Sequence, residues 1–175
     1  MIWIALLRGI NVGGNNILPM AQLREIMAGL GHSNVRTYIQ SGNCIFESDE
    51  TDPERLSEAL SDAIDARFPF RPKVMTIIAD RLHQAMANNP FPEAENEPKF
   101  LYMFFMTKAP EVIDQEQLAS LRQDGESFAY KDLVFYLHVP SGMWKSKIGA
   151  KVEKILGVPM TARNLNTVRK LAKMA

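Results

Sequence analysis

Three stretches of the sequence bring together groups able to grip an anion. They are Arg8-Gly9-Ile10-Asn11-Val12-Gly13-Gly14-Asn15-Asn16, Gln40-Ser41-Gly42-Asn43, and Thr161-Ala162-Arg163-Asn164-Leu165-Asn166-Thr167. Arg8 and Arg163 offer guanidinium forks matched to a carboxylate or phosphate. The polar groups of Asn11, Gln40, Ser41, Asn43, Asn164 and Thr167 would orient a ligand, and Gly9, Gly13 and Gly14 would let backbone N–H groups approach it. A fourth stretch, Lys145-Ser146-Lys147, stands at an expected helix start, where free N–H groups favour negative charge. Each stretch also has a structural alternative. Glycines and asparagines make turns with positive φ, Gly42 suits a bulge or tight turn, and Thr161 suits a helix cap. Residue types alone leave both readings open.

Other chemistries are excluded or weakened by spacing. The Gly9–Asn16 loop follows a strand and precedes a helix, the right context for a phosphate. No Gly-Lys-Ser/Thr ends it, however, and no Gly-x-Gly-x-x-Gly occurs, while Trp144 stands before Lys145 where a P-loop needs glycine. His32, His83 and His138 are isolated and lack metal-ligand spacing, so no metal or cofactor is indicated. Ser41 has no histidine in a known triad pattern. Glu93, Glu95 and Glu97 fall in an acid-rich loop, which favours solvation over fixed acid–base work. Cys44, the single cysteine, rules out an internal disulfide and reads as a small buried hydrophobe.

The elements that must position these groups follow from periodicity. Ile2–Leu7 is an apolar run ended by Gly9, as in a central strand. Pro19 opens a helix carried by Leu23, Ile26, Met27 and Leu30 and stopped by Gly31. Val35–Ile39 and Asn43–Glu47 read as strands around Ser41-Gly42. Thr51-Asp52-Pro53-Glu54 supplies a cap, a first-turn proline and an acid for the helix with Leu56, Leu60, Ile64 and Phe68 inward. Val74–Ile78 completes β-α-β-β-α-β. After a short helix from Asp80, the proline-rich acidic stretch 91–98 is the expected connector. The same order then repeats: strand Phe100–Met106, helix Glu116–Gln123, a hairpin of Glu126–Tyr130 and Leu133–His138 turning at Lys131-Asp132, helix Lys147–Leu156 stopped by Gly157, strand Val158–Met160 and helix Arg163–Met174. The expected fold class is α+β, with two ferredoxin-like units forming an α/β plait of antiparallel sheets, over 1–90 and 99–175.

Composition sets the remaining bounds. The 175 residues hold 46% hydrophobic and 23% charged residues, ordinary for a globular chain. Twenty Lys and Arg balance twenty Asp and Glu, which is poor footing for a dedicated polyanion binder. The balance is uneven, because residues 131–175 hold nine basic against two acidic residues. A nucleic acid or protein could use that basic region. Phe46 and Phe135-Tyr136 lie on strands without the basic–aromatic signature of RNA-recognition sheets, and Phe104-Phe105 and Phe128/Tyr130 read as packing. No apolar run reaches the ~18 residues of a membrane span, and the seven apolar residues at the start lack a signal peptide's basic lead. The cytoplasm is the expected location; composition does not give the oligomeric state.

Three ordered motifs, Leu6-Leu7-Arg8-Gly9-Ile10-Asn11-Val12-Gly13-Gly14, Tyr38-Ile39-Gln40-Ser41-Gly42-Asn43 and Thr161-Ala162-Arg163-Asn164-Leu165-Asn166-Thr167-Val168-Arg169-Lys170-Leu171, together resemble the signatures of domain-of-unknown-function family 1697. Pro140-Ser141-Gly142 and Lys145-Ser146-Lys147 resemble its loop before a helix. The resemblance implies a small bacterial cytoplasmic protein with ferredoxin-like units and no established activity. Two positions depart from it: Leu165, where the family often has Trp, and Cys44, where it often has Val. The second weakens any nucleophilic role for Cys44. The combined expectation is a binding protein for a small anionic or phosphorylated ligand. The alternatives are an enzyme using the same groups, or a module binding nucleic acid or protein through the basic C-terminal region.

Overall fold

A computed structural model describes residues 1–175. The chain divides into two units, Met1–Leu82 with Leu171–Ala175, and His83–Lys170. The 91–98 stretch, the expected connector, folds into two 3-10 turns, Pro92–Asn96 and Pro98–Phe100, within the second unit.

In the first unit, β1 (Ile2–Arg8), β2 (Ser33–Tyr38), β3 (Asn43–Glu47) and β4 (Lys73–Ile78) pair antiparallel in the order β2-β3-β1-β4. The two central strands are apolar because both their faces are buried. Trp3, Ala5, Leu7, Cys44 and Phe46 pack on α1 (Met20–Gly29) and α2 (Pro53–Asp65) through Leu23, Ile26, Met27, Leu56, Leu60 and Ile64. Ile4, Leu6 and Ile45 on the opposite face are fully buried as well. Each such side chain contributes roughly 1.5–3 kcal/mol.

Local chemistry sets the element ends. After Gly29, the N–H of Gly31, at φ +83, donates to Ala28 O and that of His32 to Met27 O. This is a Schellman closure, which needs the left-handed residue that glycine supplies. Pro19 precedes α1 as its cap residue, so the helix begins at Met20. Asp52, rather than Thr51, caps α2: its carboxylate accepts from Glu54 N at 2.8 Å and Arg55 N at 3.3 Å, with Pro53 at the first helical position. The edge strand β4 is tied to α2, since Ser57 Oγ accepts from Thr76 N and Ser61 Oγ donates to Pro72 O. The other edge strand, β2, carries an irregularity between Ser33 and Arg36 with Asn34 at φ +51, which breaks up an otherwise exposed edge.

The second unit repeats the order. β5 (Leu101–Met106), β6 (Ser127–Lys131), β7 (Val134–His138) and β8 (Met160–Asn164) pair antiparallel as β6-β7-β5-β8. α4 (Gln115–Leu121) and α5 (Lys147–Leu156) cover one face through Leu118, Ile148, Val152 and Leu156, which meet Phe104, Met106, Phe135 and Leu137. Leu101, Met103, Phe105 and Tyr136 on the other face have no exposed surface, so this sheet offers no open aromatic platform of the RNA-recognition kind. Two α+β units of β-α-β-β-α-β order thus form a ferredoxin-like plait. The helix α3 (Asp80–Ala87) follows β4, and the Tyr136 hydroxyl donates to its Ala85 O at 2.9 Å. Burial pushes that phenol up to about 12.

Two boundaries differ from expectation. The β6–β7 hairpin closes Lys131 on Val134, so its turn is Asp132-Leu133, both at positive φ, rather than Lys131-Asp132. That is a type I′ geometry, which matches strand twist and tolerates an Asp but strains a leucine. Residues 160–164 are strand, paired with Phe105 and its neighbours, and α6 (Leu165–Met174) starts later than the expected Arg163. Sheet pairing here overrides the helical spacing of the sequence.

Gly42 provides a test of the frame. Its φ is +80, and an added Cβ would stand 2.7 Å from both Leu7 Cβ and Ile10 Cδ1. Gly42→Ala is expected to cost about 2–4 kcal/mol, from the left-handed backbone and the overpacked site together. A urea midpoint unchanged by the substitution would show that the β2–β3 turn can move away from β1.

Candidate functional site

In the first unit, the end of β1 and the start of β3 lie at the same sheet end because the strands are antiparallel, with Leu6 opposite Asn43. Arg8 ends β1 opposite Lys73 and is half-buried. The loop after it reverses through left-handed residues, Gly9, Asn11, Gly13, Gly14 and Asn16. Asn11 holds it closed. Its Nδ2 donates to Leu18 O at 3.0 Å and Gln40 O at 2.8 Å, and its Oδ1 accepts from Leu18 N at 2.8 Å. Asn16 Nδ2 donates to Gly9 O at 2.8 Å. Asn43 is fully buried and donates to Tyr38 O at 3.1 Å and Ser41 Oγ at 3.0 Å. Arg8, Asn11, Ser41 and Asn43 therefore gather at one sheet end, but the Asn11 amide is engaged in joining loop to turn and the Asn43 amide in closing the turn itself. Gln40 and Ser41 stay exposed, beside Ile39, a β-branched residue at φ +52 with half its surface exposed.

The remaining expected residues lie in the second unit, in β8, at the start of α6 and before α5. Thr161 is a buried strand residue opposite Phe105, not a cap. Arg163 and Asn164 are successive strand residues, so their side chains point to opposite faces of β8. Arg163 Nη1 donates to Ala162 O at 2.9 Å. Asn164 is the cap of α6, its Oδ1 accepting from the backbone N–H of the buried Thr167 at 3.0 Å. Ser146 is buried and caps α5, its Oγ accepting from Gly149 N at 3.1 Å. Lys145 is exposed, with Nζ 4.7 Å from the centre of the Trp144 ring.

Around Asn164 the second unit forms an open cleft of about 650 Å³, lined by Lys99, Phe100, Tyr102, Pro140, Ser141, Gly142, Met143, Trp144 and Asn164. Tyr102 and Asn164 face each other across β5 and β8, and their side chains are hydrogen-bonded. Burial raises the Tyr102 phenol, an effect that the Asn164 bond partly offsets, so the hydroxyl stays protonated and remains a donor near neutral pH. Lys99 Nζ lies 4.6 Å from the Phe100 ring centre. The lining thus combines an ammonium, an amide and three aromatic rings, one of them a phenol. Of the expected residues, only Asn164 lines it, with Lys145 adjacent through Trp144. Sequence reasoning missed Lys99, Phe100, Tyr102 and Trp144. The readable signal was a tryptophan inside the Pro140–Lys145 loop, where no core pattern calls for it.

The chain shows similarity to known proteins at two levels. The family described as a protein of unknown function, DUF1697, matches residues 1–136. The chain belongs to DUF1697. That match contains the first two motifs, whereas the third, from Thr161, lies beyond it. The conserved bacterial protein SP0830 from Streptococcus pneumoniae has a similar structure, with a TM-score of 0.70 and 26% sequence identity, covering 99% of this chain and 97% of its own. No curated protein matches the chain.

Other reactive groups of this DUF1697 chain are held back from chemistry. Cys44 is fully buried, and burial pushes its thiol up to about 12, against a smaller opposing effect of Arg24. No three His, Cys, Asp or Glu side chains are grouped closely enough to hold a metal ion. Two outcomes follow. Asn11→Ala removes three hydrogen bonds from the loop and is expected to lower stability by about 1–3 kcal/mol in denaturant unfolding; an unchanged value would free Asn11 for a ligand. Cys44 is expected to ignore a thiol reagent at pH 7–9 until denaturant is added, since its folded pKa of about 12 leaves almost no thiolate there.

Proposed function

We propose that this chain is a binding protein for a small anionic, phosphorylated ligand, held in the second-unit cleft. The observation that carries the reading is the meeting of Lys99, the Tyr102 phenol and Asn164 on one cleft of about 650 Å³, a size that suits a small molecule. The lysine supplies charge, and the phenol and amide supply oriented hydrogen bonds. Lys145 adds a second ammonium at the mouth, beside Trp144. The bacterial cytoplasm is the setting that we infer, from the bacterial relative and a lone buried thiol suited to a reducing compartment. No helix is long and apolar enough to cross a membrane.

Calorimetric titration with phosphorylated sugars, nucleotides and carboxylates tests the reading. At about 100 times the dissociation constant, a true ligand should add about 2.7 kcal/mol of stability, visible as a rise in Tm. A Lys99→Ala/Lys145→Ala double variant should bind about tenfold or more weakly with its own Tm unchanged, because both side chains are exposed. Equal affinity in the double variant, or no heat with any phosphorylated compound, would remove the cleft from consideration. Binding confined to oligonucleotides and lost in salt would point instead to the basic C-terminal region.

A further inference from the structure

We infer that the ligand carries a planar aromatic ring beside its phosphate, as a nucleotide does, and that Trp144 is the surface on which the ring stacks. The inference rests on the cleft being the anion site and specifies what enters it. Trp144 is 83% exposed, whereas a tryptophan ordinarily buries most of its large apolar surface. It sits in the 3-10 turn Met143–Lys145, and a Cβ on Gly142, at φ +96, would stand 3.1 Å from its Nε1 and 3.2 Å from its Cδ1. The indole edge therefore lies close to Gly142, an approach that a side chain there would crowd, and the rest of the ring reaches solvent.

A second aromatic ring, Phe100, lines the same cleft. Each ring carries its own ammonium, Lys145 Nζ at 4.7 Å and Lys99 Nζ at 4.6 Å from the ring centres. Flat apolar surface beside positive charge is what a base attached to a phosphate requires: the ring stacks and the phosphate meets an ammonium. The Tyr102 hydroxyl stands on the same wall, bonded to the Asn164 side chain and with its own proton to offer the polar edge of a base. A bare phosphate or a short carboxylic acid would leave the aromatic rings of the cleft unused, whereas a nucleoside monophosphate makes use of both the charge and the aromatic surface.

Adenosine monophosphate, uridine monophosphate and ribose 5-phosphate, titrated calorimetrically into the full chain, separate this inference from the reading beneath it. The nucleotides are expected to bind about tenfold or more tightly than ribose 5-phosphate, the difference being one stacked base. Trp144→Ala should erase that difference by weakening the nucleotides far more than ribose 5-phosphate, and Trp144→Phe should restore part of it. Equal affinity for nucleotide and sugar phosphate would overturn the stacking inference and leave the anion site standing. A nucleotide preference that survives Trp144→Ala would also overturn it, by placing the base elsewhere. Failure of all three compounds to bind would overturn both.

Discussion

A strand buried on both faces has no room for polar side chains, and the arrangement of this chain's chemistry follows from that. In each sheet the first and third strands of the unit are central, β1 beside β3 and β5 beside β7. From Trp3 to Leu7, and from Leu101 to Met106 apart from Tyr102, every side chain is buried, and polar atoms in these runs would need internal partners. Polar and charged groups are consequently displaced to the strand ends: Arg8 closes β1, Asn43 opens β3, and Asn164 closes β8. Any ligand contact by the central strands must be made there, by end residues and the loops that follow them.

Closing those ends consumes much of the polar capacity gathered at them. In the first unit, the loop after β1 and the turn before β3 cross near Gly42, whose carbonyl accepts from Leu7 N at 2.8 Å. The space between Leu7 and Ile10 admits only a hydrogen at Gly42, which fixes how near the turn comes to β1. Once the two segments are that close, Asn11 bridges them and Asn43 ties back the turn, so the amides that look most like ligand groups in the sequence are largely spent on backbone. Ile39 at φ +52 belongs to the same closure, a strained conformation maintained by the surrounding bonds.

The sequence made the architecture readable because the apolar runs are long and the caps are explicit. Lys147–Leu156 with its Gly157 stop, and Asn43–Glu47 after Gly42, have the bounds that their side chains indicate. Legibility fails where tertiary pairing outcompetes local pattern. Thr161 to Asn164 offer helix-start chemistry and a helical spacing, but Ala162 and Arg163 find backbone partners on β5 at Phe104 and Met103, and the cap passes to Asn164. That shift separates Arg163 from Asn164, because adjacent strand residues face opposite ways. The cleft was hidden for a related reason. Lys99 and Tyr102 flank a strand start, Trp144 and Gly142 lie about forty residues later, and Asn164 ends another strand, so no short motif contains them. Only the strand order β6-β7-β5-β8, with β5 beginning where β7 and β8 end, brings those segments to one sheet end.

The repeat makes the asymmetry of the two units informative. Both have the same strand order, so the end of β1 that carries Arg8 and the glycine-rich loop corresponds to the end of β5 at Met106, not to the end where the cleft opens. Equivalent topology has been elaborated at opposite sheet ends. In the first unit the elaboration is a tightly bonded loop whose amides face its own backbone; in the second it is an open wall of side chains, with Tyr102 bonded to Asn164 and Trp144 exposed beside Gly142. A loop that only needed to connect β7 to α5 would gain nothing from presenting a tryptophan to solvent, since that forfeits most of the burial free energy of the largest apolar side chain. The ferredoxin-like frame therefore accounts for where polar groups can stand, and the exposed Trp144 is the largest departure from its economy.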